Sequence, residues 1–216
     1  MTLFGKQSLP YTLLGTSLVL LFCYFFVDQP LTYWIASLPL SVQKIAKIAT
    51  ASFAPNVLMT AGPLFYFFYV VLLKKTSLKR EILFIIIAIP AAVVMVDVAK
   101  TLIGRTRPGL LLRADIYGFF PLGLKDSYRS FPSGHSAAIC ALMASLASYR
   151  PRAVVPLFLL GLSFSFLRVL GLAHFFSDVL GTAIMVFCLV FTLHSLYQRE
   201  YHGRISERRS RQNTKN

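Results

Sequence analysis

Six long apolar stretches constrain this chain more than any other feature of its sequence. An α-helix needs about 17–25 residues to cross the hydrocarbon core of a bilayer, and it satisfies its own backbone polar groups there. The stretches cover residues 10–27, 56–73, 81–99, 134–149, 152–170 and 177–197. The sequence therefore predicts an all-α polytopic membrane protein built as a bundle of six transmembrane helices. Nothing marks a second domain, so residues 1–216 are expected to form one domain.

The composition excludes several other classes of protein. Hydrophobic residues make up 56% of the chain and charged residues 14%, against roughly 25% charged in a typical soluble domain. A disordered chain needs low hydrophobicity, and three cysteines in apolar runs do not form a disulfide scaffold. A net charge of +14 suggests nucleic acid in a soluble protein, but membrane proteins concentrate Lys and Arg to fix their orientation. We therefore expect no nucleic-acid partner.

The distribution of Lys and Arg predicts this orientation. If the N-terminus is cytoplasmic, 13 of the 22 basic residues lie on the cytoplasmic side and nine lie outside. The cytoplasmic group comprises Lys6, Lys74, Lys75, Lys79, Arg80, Arg150, Arg152 and the six bases of the tail at about 198–216. The positive-inside rule then favours both termini in the cytoplasm. The first stretch is interpreted as a retained anchor because residues 27–30 offer no small-residue cleavage site.

The connection between the first two stretches, residues 28–55, contains one amphipathic segment. Its apolar residues Val42, Ile45 and Ile48 recur at helical spacing beside Lys44. Two interpretations stay open: a helix lying along the outer membrane surface, or a helix that caps the bundle.

The first of three segments that carry chemistry runs from Lys100 to Pro108, at the outer end of the third stretch. Lys100 and Arg107 are nearly two helical turns apart and can share a face, although Pro108 favours extended backbone at Arg107. Arg offers paired N–H donors to a phosphate and Lys a compact charge. The segment indicates a phosphate site or, alternatively, two ordinary juxtamembrane bases. Asp97 is interpreted as a supporting partner of Lys100.

The second segment is Phe131-Pro-Ser-Gly-His-Ser136, which opens the fourth stretch. Ser133 is placed like a helix N-cap. The free N–H groups and dipole of a helix N-terminus bind anions, and Gly134 allows close approach. His135 lies in the first turn, where it can donate a proton. The alternative is a plain helix start with an interfacial histidine.

The third segment runs from Arg168 to Asp178 and joins the last two stretches. His174 and Asp178 are four residues apart, so on a helix they share a face. A carboxylate that holds one imidazole nitrogen leaves the other free as a nucleophile or base. Arg168 adds a third cation. The alternative is a structural ion pair between Arg168 and Asp178.

The predicted topology places all three segments on the outer side of the membrane. They bring together the N-terminus of a helix and the side chains of Lys100, Arg107, His135, Arg168, His174 and Asp178. This set predicts a site for a phosphate-like anion, with a candidate nucleophile and a candidate acid. We expect no metal, because the three neighbouring cations would repel it.

In order and spacing, the segments resemble the K-x6-RP, PSGH and SR-x5-H-x3-D motifs of the type-2 phosphatidic acid phosphatase superfamily, whose membrane members also have six spans. The resemblance implies a metal-independent phosphatase without a cofactor. His174 would attack phosphorus and form a phosphohistidine, Asp178 would orient His174, and His135 would protonate the leaving oxygen. The phosphoryl oxygens would be bound by Lys100, Arg107, Ser133, Gly134 and Arg168. One departure is Leu167, where the family usually has Ser, so that Ser133 or a backbone N–H must compensate.

A site at the outer membrane surface predicts a phosphorylated membrane lipid as substrate. Bacterial members of the resembled family act on undecaprenyl diphosphate, phosphatidylglycerol phosphate, phosphatidic acid or lipid A phosphates, and the sequence does not choose among them. The compact chain resembles bacterial members, which implies the inner membrane and a periplasmic active site. Two alternatives stay open: transfer of the phosphate to another lipid, and an anion transporter without catalysis. The sequence makes no prediction of oligomeric state.

Overall fold

A computed structural model shows a helical protein and describes residues 9–52, 54–72, 74 and 78–213. Its α-helices in these ranges are α1 Leu9–Phe22, α2 Asp28–Ser37, α3 Leu40–Ala51, α4 Pro55–Tyr66, α5 Lys79–Ile103, α6 Pro108–Ala114, α7 Gly134–Tyr149, α8 Val154–Leu170 and α9 Phe176–Asn213. Two π-helical segments, Cys23–Val27 and Phe67–Leu72, continue α1 and α4. Of the bases in the charge count, Lys6, Lys75 and Lys215 lie outside the described residues.

Several helical segments are long and apolar enough to cross a membrane. Within the described residues there are five: Leu14–Ser37, Leu40–Val70, Lys79–Ile103, Pro151–Leu170 and Phe176–Tyr201. They agree with the predicted all-α, multi-pass membrane protein. The remaining predicted stretch, 134–149, forms the 16-residue helix α7, so the count of six spans stays a prediction.

The first membrane segment is longer than the sequence predicted. The predicted stretch ended at residue 27. In the structure the chain passes through the π-helical turn Cys23–Val27 and continues as α2 to Ser37, with Asp28 fully buried. Asp28 stays inside the helix because its carboxylate pairs with Arg105 within the protein. The charge is therefore not presented to lipid.

The central helix of the bundle is α7, which packs against α5, α8 and α9. Buried small residues lie on several sides of α7: Ala137, Ala138, Ala141, Ala144 and Ala147. Small side chains let helix backbones approach closely inside a membrane. Large apolar side chains are instead exposed around the rim of the bundle, as expected of a surface that lipid covers.

The amphipathic segment in the first connection forms α3, which packs against α8. Its buried face consists of Gln43, Ala46 and Thr50, whereas Ile45 and Ile48 are 66% and 73% exposed. The helix therefore caps the bundle with its polar and small face and turns its apolar face outward. The packing against α8 agrees with the interpretation as a helix that caps the bundle, and a position along the outer membrane surface stays a prediction.

A left-handed turn at Gly104 ends α5 and starts the loop that carries Arg105 and Arg107. Gly104 has φ +62°, and its N–H donates to the Lys100 carbonyl. Its own carbonyl accepts from the Phe120 N–H at 2.6 Å. A Cβ at Gly104 would lie 1.8 Å from the Phe120 carbonyl oxygen. Only glycine satisfies both the conformation and the close approach.

Gly104→Ala should therefore destabilise the protein. The left-handed conformation alone costs a non-glycine residue roughly 1–2 kcal/mol, and the clash with the Phe120 carbonyl adds to it. We expect a lower midpoint of thermal unfolding in detergent, followed by circular dichroism. The matched control is Gly118→Ala in the same loop, where the nearest atom to a new Cβ is 3.9 Å away. Equal midpoints for the two variants would contradict the assignment.

Candidate active site

The end of α5 and the start of α7 meet at Lys100. Lys100 lies in the last turn of α5, and its Nζ is 3.3 Å from the position that a Cβ on Gly134 would occupy. Because Gly134 has no side chain, the ammonium group can approach the backbone at the α7 N-terminus. The approach of an anion oxygen to Gly134 stays a prediction, and in the structure the Lys100 ammonium lies at that position.

The backbone of Arg107 is extended, as expected for the residue before Pro108, and α6 begins directly after Arg107. One guanidinium nitrogen, Nη2, donates to Asp126 Oδ1 at 2.8 Å, where the Asp126 side chain is 80% exposed. An ion pair this exposed contributes little free energy. The Arg107 Nε is buried and has no hydrogen-bond partner among the described residues. The side chain therefore retains a donor for a ligand.

Ser133 forms the predicted N-cap of α7, because its side-chain oxygen accepts from the Ser136 N–H at 3.4 Å. The side chain is fully buried, and the Ser133 N–H donates to Thr182 Oγ1 at 2.8 Å. The structure thus assigns Ser133 to helix capping, and its phosphate contact stays a prediction. The N–H groups of Gly134 and His135 find no acceptor in the described part of the chain. Free N–H groups at the positive end of a helix dipole are suited to bind an anion.

His174 precedes α9, which begins at Phe176, so His174 and Asp178 do not share a helix face as predicted. The His174 Nδ1 lies 2.7 Å from the Ser130 carbonyl oxygen and 3.7 Å from Asp178 Oδ2. A carbonyl only accepts, so Nδ1 carries the proton and donates to Ser130. The other ring nitrogen, Nε2, is then the unprotonated one.

The His174 imidazole is neutral at neutral pH. Burial lowers the pKa of His174 to about 4, and Arg168 and Arg107 act in the same direction, while Asp178 acts against them. A neutral imidazole with its proton fixed on Nδ1 presents a lone pair on Nε2. This is the protonation state that a nucleophile or base requires.

Arg168 is placed by two contacts. Its Nη1 donates to Thr50 Oγ1 of α3 at 3.2 Å, and its carbonyl accepts from the N–H groups of Ala173 and His174. Like that of Arg107, the buried Nε of Arg168 has no partner among the described residues. The predicted alternative of an Arg168–Asp178 ion pair is wrong, because Asp178 pairs with Arg105.

The structure brings the three segments together around His135. This side chain is within electrostatic reach of Arg168, His174, Lys100 and Arg107. All the predicted site residues therefore lie at one end of the bundle. Asp97 does not support Lys100 by direct contact, because it is exposed and no ion pair within 4.0 Å joins the two in the described structure.

Two charged residues of the site were missed from the sequence. Asp28 and Arg105 are buried and form an ion pair at 2.6 Å, and Arg105 also contacts Asp178. A lone carboxylate at the end of an apolar run was a signal for Asp28. No local pattern links it to Arg105, 77 residues away.

The described residues contain no group of three or more His, Cys, Asp or Glu side chains arranged to hold a metal ion. A helical membrane bundle with unpaired cationic donors, a helix N-terminus and a neutral histidine at one end defines a site suited to a phosphate group. The family model described as PAP2 superfamily matches residues 80–202. The chain belongs to this superfamily, which confirms the resemblance drawn from the three motifs.

Two curated relatives are similar to part of the chain. A lipid A 1-phosphatase of Rhizobium johnstonii and one of Rhizobium etli are each 32% identical over 87 residues, or 40% of this chain. The matched part is 36% and 38% of the length of those relatives. No solved structure matches the chain.

The buried neutral state of His174 predicts a pH-dependent stability. Its pKa is about 4 in the folded protein and about 6.5 in an unfolded chain. Between these values the unfolded chain binds more protons, so stability falls as the pH is lowered through this window. We expect the unfolding midpoint to drop less steeply from pH 6.5 to 5 in His174→Gln than in the wild type. Between pH 7.5 and 8.5 the unfolding midpoints of the two proteins should change in parallel. Identical slopes of midpoint against pH between pH 6.5 and 5 would contradict the prediction.

Proposed function

We propose that the protein is an integral-membrane lipid phosphatase that hydrolyses its substrate through a phosphohistidine on His174. The observation that carries this proposal is the state of His174: its Nδ1 donates to the Ser130 carbonyl, which leaves Nε2 free beside the cations. A site that only binds an anion needs no such nucleophile. Splitting hydrolysis through a covalent intermediate replaces one difficult step with two easier ones.

In the first step, the Nε2 lone pair of His174 attacks phosphorus and the bond from phosphorus to the lipid oxygen breaks. His135 gives its proton to that leaving oxygen. In the second step, water attacks the phosphohistidine, the N–P bond breaks, and His135 takes the proton from the water. Inorganic phosphate leaves and both histidines return to their first state. Burial and the neighbouring Arg168, Lys100 and Arg107 disfavour a proton on His135. A phosphate bound among these cations would offset their charge and favour the protonated imidazole that the first step needs.

Phosphoryl transfer asks the protein mainly for positioning and for stabilisation of negative charge. Lys100, Arg107 and Arg168 would supply this charge, and the latter two each have an unpaired, buried Nε. The N–H groups of Gly134 and His135 would complete the site. The three fixed cations balance the negative charge of the phosphoryl oxygens without a metal ion. We therefore propose a metal-independent reaction.

The substrate we propose is a phosphate or diphosphate of a membrane lipid, and two relatives carry the name lipid A 1-phosphatase. We place the site at the periplasmic face of a bacterial inner membrane, in a bundle of six spans with both termini cytoplasmic. The excess of Lys and Arg at the opposite end supports this orientation. At the membrane face the phosphate of a lipid headgroup reaches the site while the acyl or prenyl chains of the lipid stay in the bilayer.

His174→Ala should abolish phosphate release from lipids. The purified protein in detergent is incubated with phosphatidic acid, phosphatidylglycerol phosphate, undecaprenyl diphosphate and lipid A, with EDTA present, and released phosphate is measured. The wild type should act on at least one of them, and the variant should be slower by at least ~10³-fold because the nucleophile is lost.

The matched control is His194→Ala, since His194 packs between Phe84 and Tyr149 away from the site. It should keep wild-type turnover. Near-normal release by a folded His174→Ala protein would reject the nucleophile, and loss of wild-type activity in EDTA would reject the metal-independent reaction.

A further inference from the structure

A closed cluster of charges lies behind the candidate active site. Arg105 Nη2 is 2.6 Å from Asp28 Oδ2, and Arg105 Nη1 contacts Asp178 Oδ1. The Arg105 side chain is 2% exposed, and both carboxylates are fully buried. Ser177 joins them, because its N–H and hydroxyl both donate to Asp28 and its Oγ accepts from Arg105 at 2.7 Å.

The cluster connects three distant parts of the chain. Asp28 lies inside the first membrane segment, Arg105 follows α5, and Asp178 lies in the first turn of α9. Taking such charges out of water costs several kcal/mol per ion, and well-packed apolar residues often stabilise a protein equally well. Stability alone is therefore a weak reason for these three residues. A role in the chemistry of the neighbouring histidine is a better one.

The two oxygens of Asp178 have separate partners. Oδ1 is held by Arg105. Oδ2 accepts from the Ser130 hydroxyl and from the Phe175 N–H, and it lies 3.7 Å from His174 Nδ1. With Oδ1 fixed, the carboxylate cannot rotate away from the imidazole. Arg105, Ser130 and Phe175 together determine which oxygen faces His174.

The charges of the cluster do not cancel. Two carboxylates share one guanidinium, which leaves a net charge of minus one in a buried site. Burial alone lowers the pKa of Arg105, but Asp178 and Asp28 raise it above its ordinary value, so the guanidinium stays charged. The Arg105 guanidinium lies 4.8 Å from the ring centre of Phe175 and 4.9 Å from that of Tyr24. These rings keep water from the cluster, and the excess negative charge lies next to His174.

We propose that Arg105 and Asp28 are positioning residues of the reaction: Arg105 orients the Asp178 carboxylate toward His174, and Asp28 shares Arg105 so that Asp178 keeps a negative charge. When His174 forms its bond to phosphorus, the imidazole becomes positively charged. The cluster then carries the compensating charge. The first membrane segment, which contributes nothing to the three motifs, thereby takes part in the chemistry. This inference rests on the proposed function of His174.

The test compares Asp28→Asn with the wild type, using the panel lipid that the wild type hydrolyses fastest. The substitution keeps the size of the side chain but leaves Arg105 to neutralise Asp178. We expect kcat per folded molecule to fall about 10–100-fold, the range found for side chains that orient the ligands of metal sites. KM should change less than about 3-fold because the phosphate-binding cations are untouched. Arg113→Gln is the matched control. The Arg113 side chain is exposed, and its Nε donates to the Gly109 carbonyl. This variant should have the kcat and KM of the wild type.

The acid limb of the pH profile of kcat/KM distinguishes positioning from a structural role. The charged or titratable groups that face His174 are Asp178 of α9, Arg168 of α8, Arg107 of the loop and His135 of α7. None of them changes in Asp28→Asn. Removing one negative charge behind Asp178 disfavours a proton on His174, so the limb should move to lower pH. A defect of folding alone would reduce the amount of active protein and leave the limb in place.

Ser177→Ala provides a second, milder variant in case Asp28→Asn does not fold. It removes the hydroxyl between Arg105 and Asp28 and should lower kcat in the same way, with unchanged KM. A folded variant with wild-type kcat and an unmoved acid limb overturns the inference while His174→Ala remains inactive. If instead the wild type releases no phosphate, or His174→Ala retains activity, the proposed function itself fails.

Discussion

The pairing of Arg105 with Asp28 and Asp178 is the interaction on which the arrangement of the site depends. Within a bundle that excludes water, a charge persists only next to its counter-charge. Satisfying three charges at once fixes the first membrane segment, the loop after α5 and the start of α9 against one another. The backbone of this loop then contributes the Ser130 carbonyl to His174, because the Ser130 N–H donates to the Arg105 carbonyl.

The site separates its charges into two clusters with opposite properties. The closed cluster of Arg105, Asp28 and Asp178 is buried, and its carboxylate oxygens are occupied by donors. The open cluster of Lys100, Arg107 and Arg168 is positive. Arg107 and Arg168 each keep a buried Nε without a partner among the described residues, as Arg105 does in the closed cluster. His174 lies between them, so that an anion is attracted on one side and a positive imidazole is stabilised on the other. Neither cluster alone would promote both binding and bond formation.

Local rules predicted those parts of the structure that depend on near neighbours in sequence. Ser133 caps α7 and Pro108 keeps Arg107 extended, since capping and the restriction before proline act within a few residues. The spacing rule for His174 and Asp178 failed because the helix begins after His174. The burial of Asp28 was unpredictable from its neighbours, since its partner is 77 residues away. A charge at the edge of an apolar run indicates a missing partner but does not identify it.

Leu167 departs from the family's third motif, and its neighbour Arg168 contacts α3. Compensation for the missing hydroxyl by Ser133 or a backbone N–H stays a prediction. The family usually places a serine hydroxyl beside the arginine of the third motif, and the leucine here has none. The Arg168 Nη1 donates its side-chain hydrogen bond to Oγ1 of Thr50, which is buried at the end of α3. The backbone of Lys47 in the same helix lies against Gly171, where a Cβ would be 3.8 Å from the Lys47 nitrogen. The helix α3 therefore orients Arg168, a proposed phosphate-binding residue, although α3 contains none of the three motifs.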